Sequence, residues 1–436
     1  MSELPVVVIG AGPQGLAAAA HLVERGADVI VMERGDGPAA AVTEWGHVRL
    51  FSSWPELTDA AARRLLEPTG WTAPESGYPT GGEWVDAYLA PLAEALGEKV
   101  RYSTTVTGVA RKGRDLTVDG GRKAQPYVVH TVDDEGNDAR FLARAVIDAS
   151  GTWTLPNPAG ADGLSAVGEK RASEQISYRI PADVEASGGE HFVVIGSGHS
   201  ATHTALRLSE VARRTPGVRI TWLMRRGTVK QRFGVVADEL PERAALGGRA
   251  RKIIESGLVD VITDFRVAEF QQEGETLTIT AENGKQVADV SQVFVLTGFR
   301  PDTSILSELR VNLDTSLQAV AGIAEEIDPN LHSCGSIGAT GARELAQPEE
   351  GFFIVGAKSY GRAPTFLALT GFEQVRSVVA HLSGDVAGAQ SNQLVLPDTG
   401  VCGGSGDLDE KDNGASGVCC GAPTLLQPQM RPVAVN

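Results

Sequence analysis

The first apolar run of the chain begins near residue 5 and starts a succession that is typical of a parallel α/β unit. Val6 to Ile9 are continuously apolar, which predicts a strand that is buried on both faces. A helix is predicted over Leu16 to Arg25, ending near Gly26, and Val29 to Met32 predict a second strand. This order of strand, helix and strand indicates an α/β fold.

The loop between this strand and helix has the glycine spacing of a dinucleotide-binding turn. Gly10, Gly12 and Gly15 form the sequence G-x-G-x-x-G. We expect the first glycine to allow a tight turn, the second to let the backbone approach a pyrophosphate, and the third to let helix and strand pack closely. Glu33, directly after the second strand, can accept hydrogen bonds from an adenosine ribose, and Arg34 follows it.

The same succession returns in residues 190–227. Phe192 to Ile195 predict a strand, and Gly196, Gly198 and Ala201 form G-x-G-x-x-A in the turn that follows. We therefore predict a second dinucleotide-binding unit of the same Rossmann type.

The two units differ in the charge that ends their second strand. In the second unit, the strand predicted over Arg219 to Met224 leads into Arg225 and Arg226, where the first unit has Glu33. A carboxylate repels a ribose 2′-phosphate, whereas a guanidinium binds it through paired hydrogen bonds. The first unit is therefore expected to bind FAD and the second NADPH, so that hydride passes from the nicotinamide to the flavin. The alternative is that Arg225 and Arg226 are solvated surface residues that do not bind a cofactor.

Composition and charge limit the kinds of partner and the cellular location that we expect for the protein. The chain has 436 residues, 42% of them apolar, and a net charge of −16. Because nucleic acid requires a clustered basic surface, no nucleic-acid partner is expected. No run approaches the length of a membrane span, and the N-terminus lacks the features of a signal peptide. The four cysteines cannot build a disulfide framework, so a soluble cytoplasmic protein with reduced thiols is predicted.

Three further segments carry a resemblance to a known group of flavoproteins. They are RAVIDASGTW with Gly151, SQVFVLTGFRPD with Gly298, and GFFIVGAKSY with Gly356. Together with the two glycine turns, they resemble the two-dinucleotide-fold flavoproteins, which include flavin-containing monooxygenases and thioredoxin reductases. The resemblance covers about residues 4–385 and implies that these three glycines lie near the cofactors.

The same resemblance implies an α/β fold of two Rossmann-like domains, with the NADPH domain inserted in the FAD domain. The implied limits are 1–160 for the first part of the FAD domain, 161–290 for the NADPH domain, 291–390 for the second part of the FAD domain, and 391–436 for a flexible tail that contains cysteines.

One segment distinguishes the branches of this group. TEWGHVRLFSSWP, residues 43–55, is similar to the flavin-proximal stretch of the monooxygenase branch. Disulfide reductases carry redox cysteines there or in the NADPH domain, whereas this chain has none in either place. Trp45, His47, Arg49 and Trp54 are the candidate substrate-side residues, and a loop packed over the cofactor is an equal alternative. No catalytic acid or base and no metal site is predicted.

Several segments, among them WGHVRLFS and IGSGHSA, are closer still to flavin monooxygenase-like proteins of bacterial arsenic-resistance operons. This resemblance implies an FAD-dependent monooxygenase that oxidises NADPH and transfers oxygen, through a flavin hydroperoxide, to a small soft nucleophile: sulfur, nitrogen or trivalent arsenic. The partners are then a small-molecule substrate and oxygen, and a homo-oligomer is left open.

The cysteines of the tail keep two other functions open. Cys419 and Cys420 are adjacent, and Cys402 lies upstream of them. Thiolates are soft ligands, so these residues could converge on trivalent arsenic or pass electrons. The alternatives are an NADPH-dependent thiol, disulfide or metalloid reductase that uses the tail, and a flavin-bound redox or metalloid sensor. An extension without function is the third interpretation of the tail.

Overall fold

Short apolar strands and the helices between them make up the part of the chain that the structure describes. The computed structural model describes residues 3–226, 241–329, 331, 340–364 and 366–394. In chain order the strands are β1 (Val6–Ile9), β2 (Val29–Met32), β3 (Val100–Arg101), β4 (Thr104–Arg111), β5 (Tyr127–Asp133), β6 (Asp138–Ala143), β7 (Ala145–Asp148), β8 (Ile176–Ser177), β9 (His191–Ile195), β10 (Arg219–Leu223), β11 (Asp260–Ile262), β12 (Val267–Glu273), β13 (Thr276–Ala281), β14 (Gln286–Val290), β15 (Gln292–Val295) and β16 (Phe352–Ile354).

The helices connect these strands and cover the sheets. The α-helices are α1 (Pro13–Glu24), α2 (Ala40–Glu44), α3 (Ala60–Leu66), α4 (Gly81–Trp84), α5 (Ala90–Leu96), α6 (His199–Arg214), α7 (Pro241–Glu255), α8 (Ala321–Ile327), α9 (Ala368–Leu382) and α10 (Val386–Gln390). Shorter helical turns lie at Trp54–Leu57, Glu67–Thr69, Val85–Leu89, Gly97–Lys99, Arg122–Ala124, Ser304–Leu306 and Gly356–Tyr360.

The first sheet contains the predicted FAD-binding turn. Its five strands are parallel and lie in the order β16-β7-β1-β2-β3. Strand β1 is central, with Val6 opposite Val29 on one side and Ala145 on the other. Helices α1 and α9 pack against each other over this sheet. The continuous apolar run that predicted β1 therefore reflects a strand with protein on both faces.

The second sheet repeats this arrangement. It is also parallel, with the strand order β11-β10-β9-β15-β8. The side chains of β9 alternate between two cores: Phe192 and Val194 belong to one, Val193 and Ile195 to the other. Strands β8 to β15 all lie between β7 and β16 of the first sheet in the chain. The predicted α/β fold of two Rossmann-like units, one inserted in the other, is thus confirmed.

Strand β15 extends the second unit beyond its expected limit. Gln292–Val295 pairs with both β9 and β8 in the second sheet. The limit expected at residues 290 and 291 precedes this strand, because an apolar run in the sequence does not indicate which of two parallel sheets it joins. The other domain limits stay predictions.

Each parallel unit also carries an antiparallel sheet of three strands. Strands β4, β5 and β6 accompany the first unit, and β12, β13 and β14 accompany the second. In β5 buried side chains alternate with less buried ones, as expected of a sheet that faces solvent on one side. Within the described ranges, no helix has both the length and the apolar character that a membrane crossing requires.

Candidate active site

The first glycine turn has the geometry of a dinucleotide cradle. Gly10 has a φ of 96°, in the left-handed region, and a Cβ on Gly15 would lie 1.9 Å from the carbonyl oxygen of Gly10. Both positions therefore require glycine for α1 to leave β1 this closely. A Cβ on Gly12 would meet no atom within 4 Å. The space before the N-terminus of α1 is thus open to an anionic ligand.

Glu33 is held beside this turn by two backbone hydrogen bonds. Only 7% of the residue is exposed. One carboxylate oxygen accepts from the N–H of Ala11 at 2.7 Å, and the other accepts from the N–H of Gly35 at 2.8 Å. Each oxygen keeps a lone pair for a ligand hydroxyl, so the residue fits the ribose of a dinucleotide. The neighbouring Arg34 is exposed.

The second glycine turn repeats the geometry of the first. Gly196 has a φ of 128°, and a Cβ there would lie 2.3 Å from the carbonyl oxygen of Leu296. A Cβ on Gly198 would meet nothing within 4 Å. Gly198 caps the sixteen-residue helix α6, in which Ala201 is fully buried. The N-terminus of α6 is therefore also open to a phosphate.

Two arginines follow β10 near the carboxyl edge of the second sheet. Arg225 is exposed, and its Nη1 donates to the carbonyl oxygen of Ala161 at 2.9 Å. A guanidinium has five N–H donors, so this bond orients the side chain and leaves donors for a phosphate. Arg226 is half-buried. The pair fits a cofactor that carries a 2′-phosphate.

Three of the predicted glycines follow strands of the two parallel sheets. Gly151, Gly298 and Gly356 have φ angles of 69°, 91° and 70°. They come within three residues of the carboxyl ends of β7, β15 and β16. Ligands of open parallel sheets bind at this edge. The three turns therefore lie on the side of the sheets where the two glycine cradles open.

A buried ion pair lies beside the first cradle and was not predicted from the sequence. Lys358 Nζ donates to Asp148 Oδ2 at 2.7 Å and to Ser150 Oγ at 3.0 Å. Side-chain exposure is 2% for the lysine and 0% for the aspartate. Ser150 Cα would lie 3.2 Å from a Cβ on Gly10. The pair thus supports the backbone that the first glycine turn packs against.

A cavity of about 240 Å³ lies between the 45–51 segment and the second unit. We refer to it as the aromatic cavity, because its wall includes Trp45, Phe51, Trp153, Tyr178, His203 and Phe299. The start of α6 and Gly298 also line it, so it adjoins the second glycine cradle.

The four predicted substrate-side residues divide into two groups. Trp45 and Arg49 line the aromatic cavity, whereas His47 and Trp54 do not. Trp54 is packed in the core of the first unit, with 9% exposed. Burial and the nearby Arg207 lower the pKa of His47, whose Nε2 is buried. Some aromatic residues of this short segment thus lie in a core and others line the cavity. Their spacing in the sequence does not show which residue does which.

Two further residues of the cavity wall, which are not among the predicted ones, lie close to glycine turns in the sequence. Trp153 comes two residues after Gly151, and Phe299 directly follows Gly298. An aromatic residue just beyond a glycine turn at the carboxyl edge of a strand is placed near the cofactor cleft. Phe51 lies in the segment 43–55 but is not among the four candidates, and no comparable local signal marks Tyr178 or His203.

The predicted cysteine site lies outside the described residues. This applies to Cys419 and Cys420, to Cys402, and to Cys334 in the segment 332–339. The substrate role assigned to the adjacent pair stays a prediction.

These two cradles on two parallel sheets define a flavoprotein fold with two dinucleotide-binding units. The chain belongs to the pyridine nucleotide-disulphide oxidoreductase family, whose model matches residues 7–326. It is therefore a flavin-dependent oxidoreductase, and its cofactors are FAD and NADPH.

Similar proteins include both monooxygenases and a reductase. The indole-3-pyruvate monooxygenase YUCCA1 of Oryza sativa subsp. japonica is 29% identical over 46% of this chain and 44% of its own length. A flavin-containing monooxygenase, FMO GS-OX-like 8, of Arabidopsis thaliana is 26% identical over 48% of each chain. The chain thus spans about half the length of these curated relatives.

Among solved structures, the bacillithiol disulfide reductase Bdr (YpdA) of Bacillus cereus has a TM-score of 0.64 at 21% identity. The match covers 87% of this chain and 99% of that one. At this identity the likeness concerns the fold, which hosts more than one chemistry.

Proposed function

We propose that the protein is an FAD-dependent monooxygenase that oxidises NADPH and oxygenates a small soft nucleophile: sulfur, nitrogen or trivalent arsenic. Bound FAD supplies the hydride acceptor and the electrons for oxygen. In the overall balance, NADPH provides two electrons and one proton as a hydride, and a second proton comes from solution. One atom of O₂ then joins the lone pair of the substrate, and the other leaves as water. The flavin hydroperoxide expected from the sequence is part of this proposal.

The aromatic cavity carries the proposal. Rings and aliphatic side chains form most of its wall, and such a wall keeps water away from a reactive oxygen species. All four cysteines lie outside the described residues, so no thiol of the described ranges lines it. The names of the two curated relatives described above, YUCCA1 and FMO GS-OX-like 8, support the same reaction class.

The residues that we propose for cofactor binding are those of the two glycine turns and of the strand ends near them. Backbone N–H groups would hold the phosphates, Glu33 would hold the FAD ribose, and Arg225 would hold the 2′-phosphate of NADPH. The residues proposed for FAD are Gly10, Gly12, Gly15, Glu33, Arg34, Gly151 and Gly356; those proposed for NADPH are Gly196, Gly198, Ala201, Arg225, Arg226 and Gly298.

Replacing Glu33 with alanine is expected to weaken FAD binding by about 10- to 100-fold, because a hydrogen bond to a charged acceptor contributes about 1.5–3 kcal/mol. The flavin-to-protein ratio after purification and FAD titration of the apoprotein measure this effect. Asp36→Ala is the matched control, since Asp36 is an exposed carboxylate in the same loop. Full FAD occupancy and unchanged affinity in Glu33→Ala would show that the ribose contact lies elsewhere.

A rapid-mixing experiment tests the proposed reaction. The flavin is reduced with NADPH without oxygen and is then mixed with oxygenated buffer, while its absorbance is followed. Before the spectrum of oxidised flavin returns, we expect a transient spectrum that differs from those of reduced and oxidised flavin. We also expect oxygenated product when a thioether or an organic trivalent arsenical is present. Direct return to the oxidised spectrum with release of hydrogen peroxide, and no product, would contradict the monooxygenase. Very slow oxidation of NADPH would instead favour the sensor.

A reductase that uses the tail cysteines is the second candidate. The family description and the fold shared with a disulfide reductase favour it. The variant Cys419→Ser/Cys420→Ser separates the two candidates. A monooxygenase keeps its rate of NADPH oxidation and product formation, whereas a reductase loses at least about 100-fold in disulfide or metalloid reduction, since the attacking thiolate is removed. The variant Cys334→Ser is the control for loss of a single thiol.

Trivalent arsenic is included among the proposed substrates because the sequence resembles proteins of arsenic-resistance operons. Trivalent arsenic has a lone pair that can accept oxygen, and it therefore belongs in the substrate screen beside thioethers and amines. The cytoplasmic location and a homo-oligomer stay predictions from the sequence.

A further inference from the structure

The aromatic cavity offers a ligand no unpaired charge. Among its described lining residues, Arg49 alone carries a permanent charge. Its guanidinium donates to the carbonyl oxygen of Tyr78 and lies 3.8 Å from the carboxylate of Glu83. An ionic ligand would therefore lose its hydration in this cavity without gaining an opposite charge.

The rings of the wall pack on one another and present flat surfaces. The ring centres of Trp153 and Phe299 are 4.8 Å apart, and Phe51 lies 5.9 Å from the ring of His203. Aromatic faces and edges favour contact with another aromatic ring. The wall thus matches a flat apolar ligand better than a compact inorganic one.

Charged groups close to these rings are engaged with the protein. Arg179 lies 4.0 Å from the centre of the Trp153 ring and 3.6 Å from Glu44, which also accepts from Trp153 Nε1 at 2.7 Å. The hydroxyl of Tyr178 donates to the buried carboxylate of Glu169 at 2.7 Å. Glu44 offsets the charge of Arg179, whose Nη1 is buried without a hydrogen-bond partner among the described residues, and Glu169 engages the hydroxyl of Tyr178. Neither group therefore adds a net charge for a ligand.

His203 is the polar exception in the wall. Its Nε2 is buried and has no hydrogen-bond partner within the described residues. Burial, together with nearby imidazole and guanidinium groups, lowers the pKa of His203 to about 4. The ring is therefore neutral at pH 7 and offers a ligand one hydrogen bond without a charge.

We propose that the aromatic cavity binds an uncharged organic molecule with a single aromatic ring, and that one polar group of this molecule hydrogen-bonds with the imidazole of His203. The inference rests on the proposed function, for which the molecule presents a sulfur or nitrogen atom to oxygen. The volume of about 240 Å³ is small for a ligand site, so it admits one ring with short substituents.

Calorimetric titration of the full-length, FAD-loaded protein tests this proposal with four probes. They are 4-(methylthio)phenol, thioanisole, 4-(methylthio)benzoate and sodium arsenite. We expect the two neutral ring compounds to bind and the phenol to bind more tightly. The benzoate, which differs mainly in its charge, is expected to bind at least about tenfold more weakly than the phenol, because its carboxylate is desolvated without a partner. Arsenite is expected to give no measurable binding.

The variant His203→Phe tests the hydrogen bond. It keeps a ring of similar size and removes the polar atom, so we expect the affinity for 4-(methylthio)phenol to fall about tenfold and that for thioanisole to stay within about twofold. His130→Phe is the matched control, since His130 is exposed on β5. FAD content and thermal midpoint show whether each variant is folded. If a variant does not fold, the comparison of the four probes with the wild-type protein still tests the proposal.

Three results would overturn the proposal. The first is equal binding of the phenol and the benzoate. The second is tight binding of arsenite by the wild type that His203→Phe does not change, with no binding of the ring compounds. The third is competitive displacement of the ring compounds by NADP⁺, which would assign the cavity to the nicotinamide. Binding of the neutral rings without oxygenation would contradict the monooxygenase and leave this inference standing.

Discussion

Replacing Arg225 with alanine is expected to lower kcat/KM for NADPH by about 10- to 100-fold and to leave kcat/KM for NADH within about twofold. Only NADPH carries the 2′-phosphate, so only NADPH loses a charge-assisted hydrogen bond when the guanidinium is removed. Arg225 lies just beyond the carboxyl end of β10, and its bond to the carbonyl oxygen of Ala161 orients it there. Anaerobic reduction of the flavin by each nucleotide, followed by absorbance, measures both values.

Two other variants make this prediction specific. Arg225→Lys keeps the charge but not the fork of the guanidinium, so its loss for NADPH is expected to be smaller than that of the alanine variant. Arg219→Ala removes an exposed arginine from the opposite end of the same strand and is expected to change neither nucleotide. Equal losses for NADPH and NADH in Arg225→Ala would assign the arginine a structural role.

Local patterns in the sequence predicted the elements of both cradles closely. Strands Val6–Ile9 and Val29–Met32 have the predicted bounds. The helix that follows the first turn begins at Pro13 rather than at Leu16, because proline fits the first turn of a helix, where its missing N–H is not needed. These features depend on neighbours in the chain, which is why one sequence suffices to predict them.

The aromatic cavity depends instead on residues far apart in the chain. Trp45, Trp153 and Phe299 come from three segments that are distant in the sequence and meet at the cavity. An aromatic residue in a loop has the same local pattern whether it fills a core, as Trp54 does, or lines a cavity. Periodicity and spacing could therefore not predict the wall of the site, and only the strand ends and the resemblance of residues 43–55 indicated its neighbourhood.

The pair of Lys358 and Asp148, which are 210 residues apart, is a second feature of this kind. Replacing Lys358 with methionine is expected to lower the free energy of unfolding by about 3–5 kcal/mol, because the buried carboxylate of Asp148 loses its counter-charge. Ser150, which Lys358 also contacts, packs beside Gly10, so FAD occupancy is expected to fall as well. Urea unfolding and the flavin-to-protein ratio measure the two effects.

The double variant Lys358→Met/Asp148→Asn distinguishes loss of the ion pair from loss of a cofactor contact. Removing both charges leaves no unpaired ion, so most of the stability is expected to return. If FAD occupancy returns with it, the lysine acts by supporting the glycine turn; if the stable double variant still lacks FAD, the lysine contacts the cofactor. Arg362→Met is the control, since Arg362 is an exposed cation of the same loop that hydrogen-bonds with Gln318. A single variant as stable as the wild type, or a double variant as unstable as the single one, would show that the pair does not stabilise this edge of the first sheet.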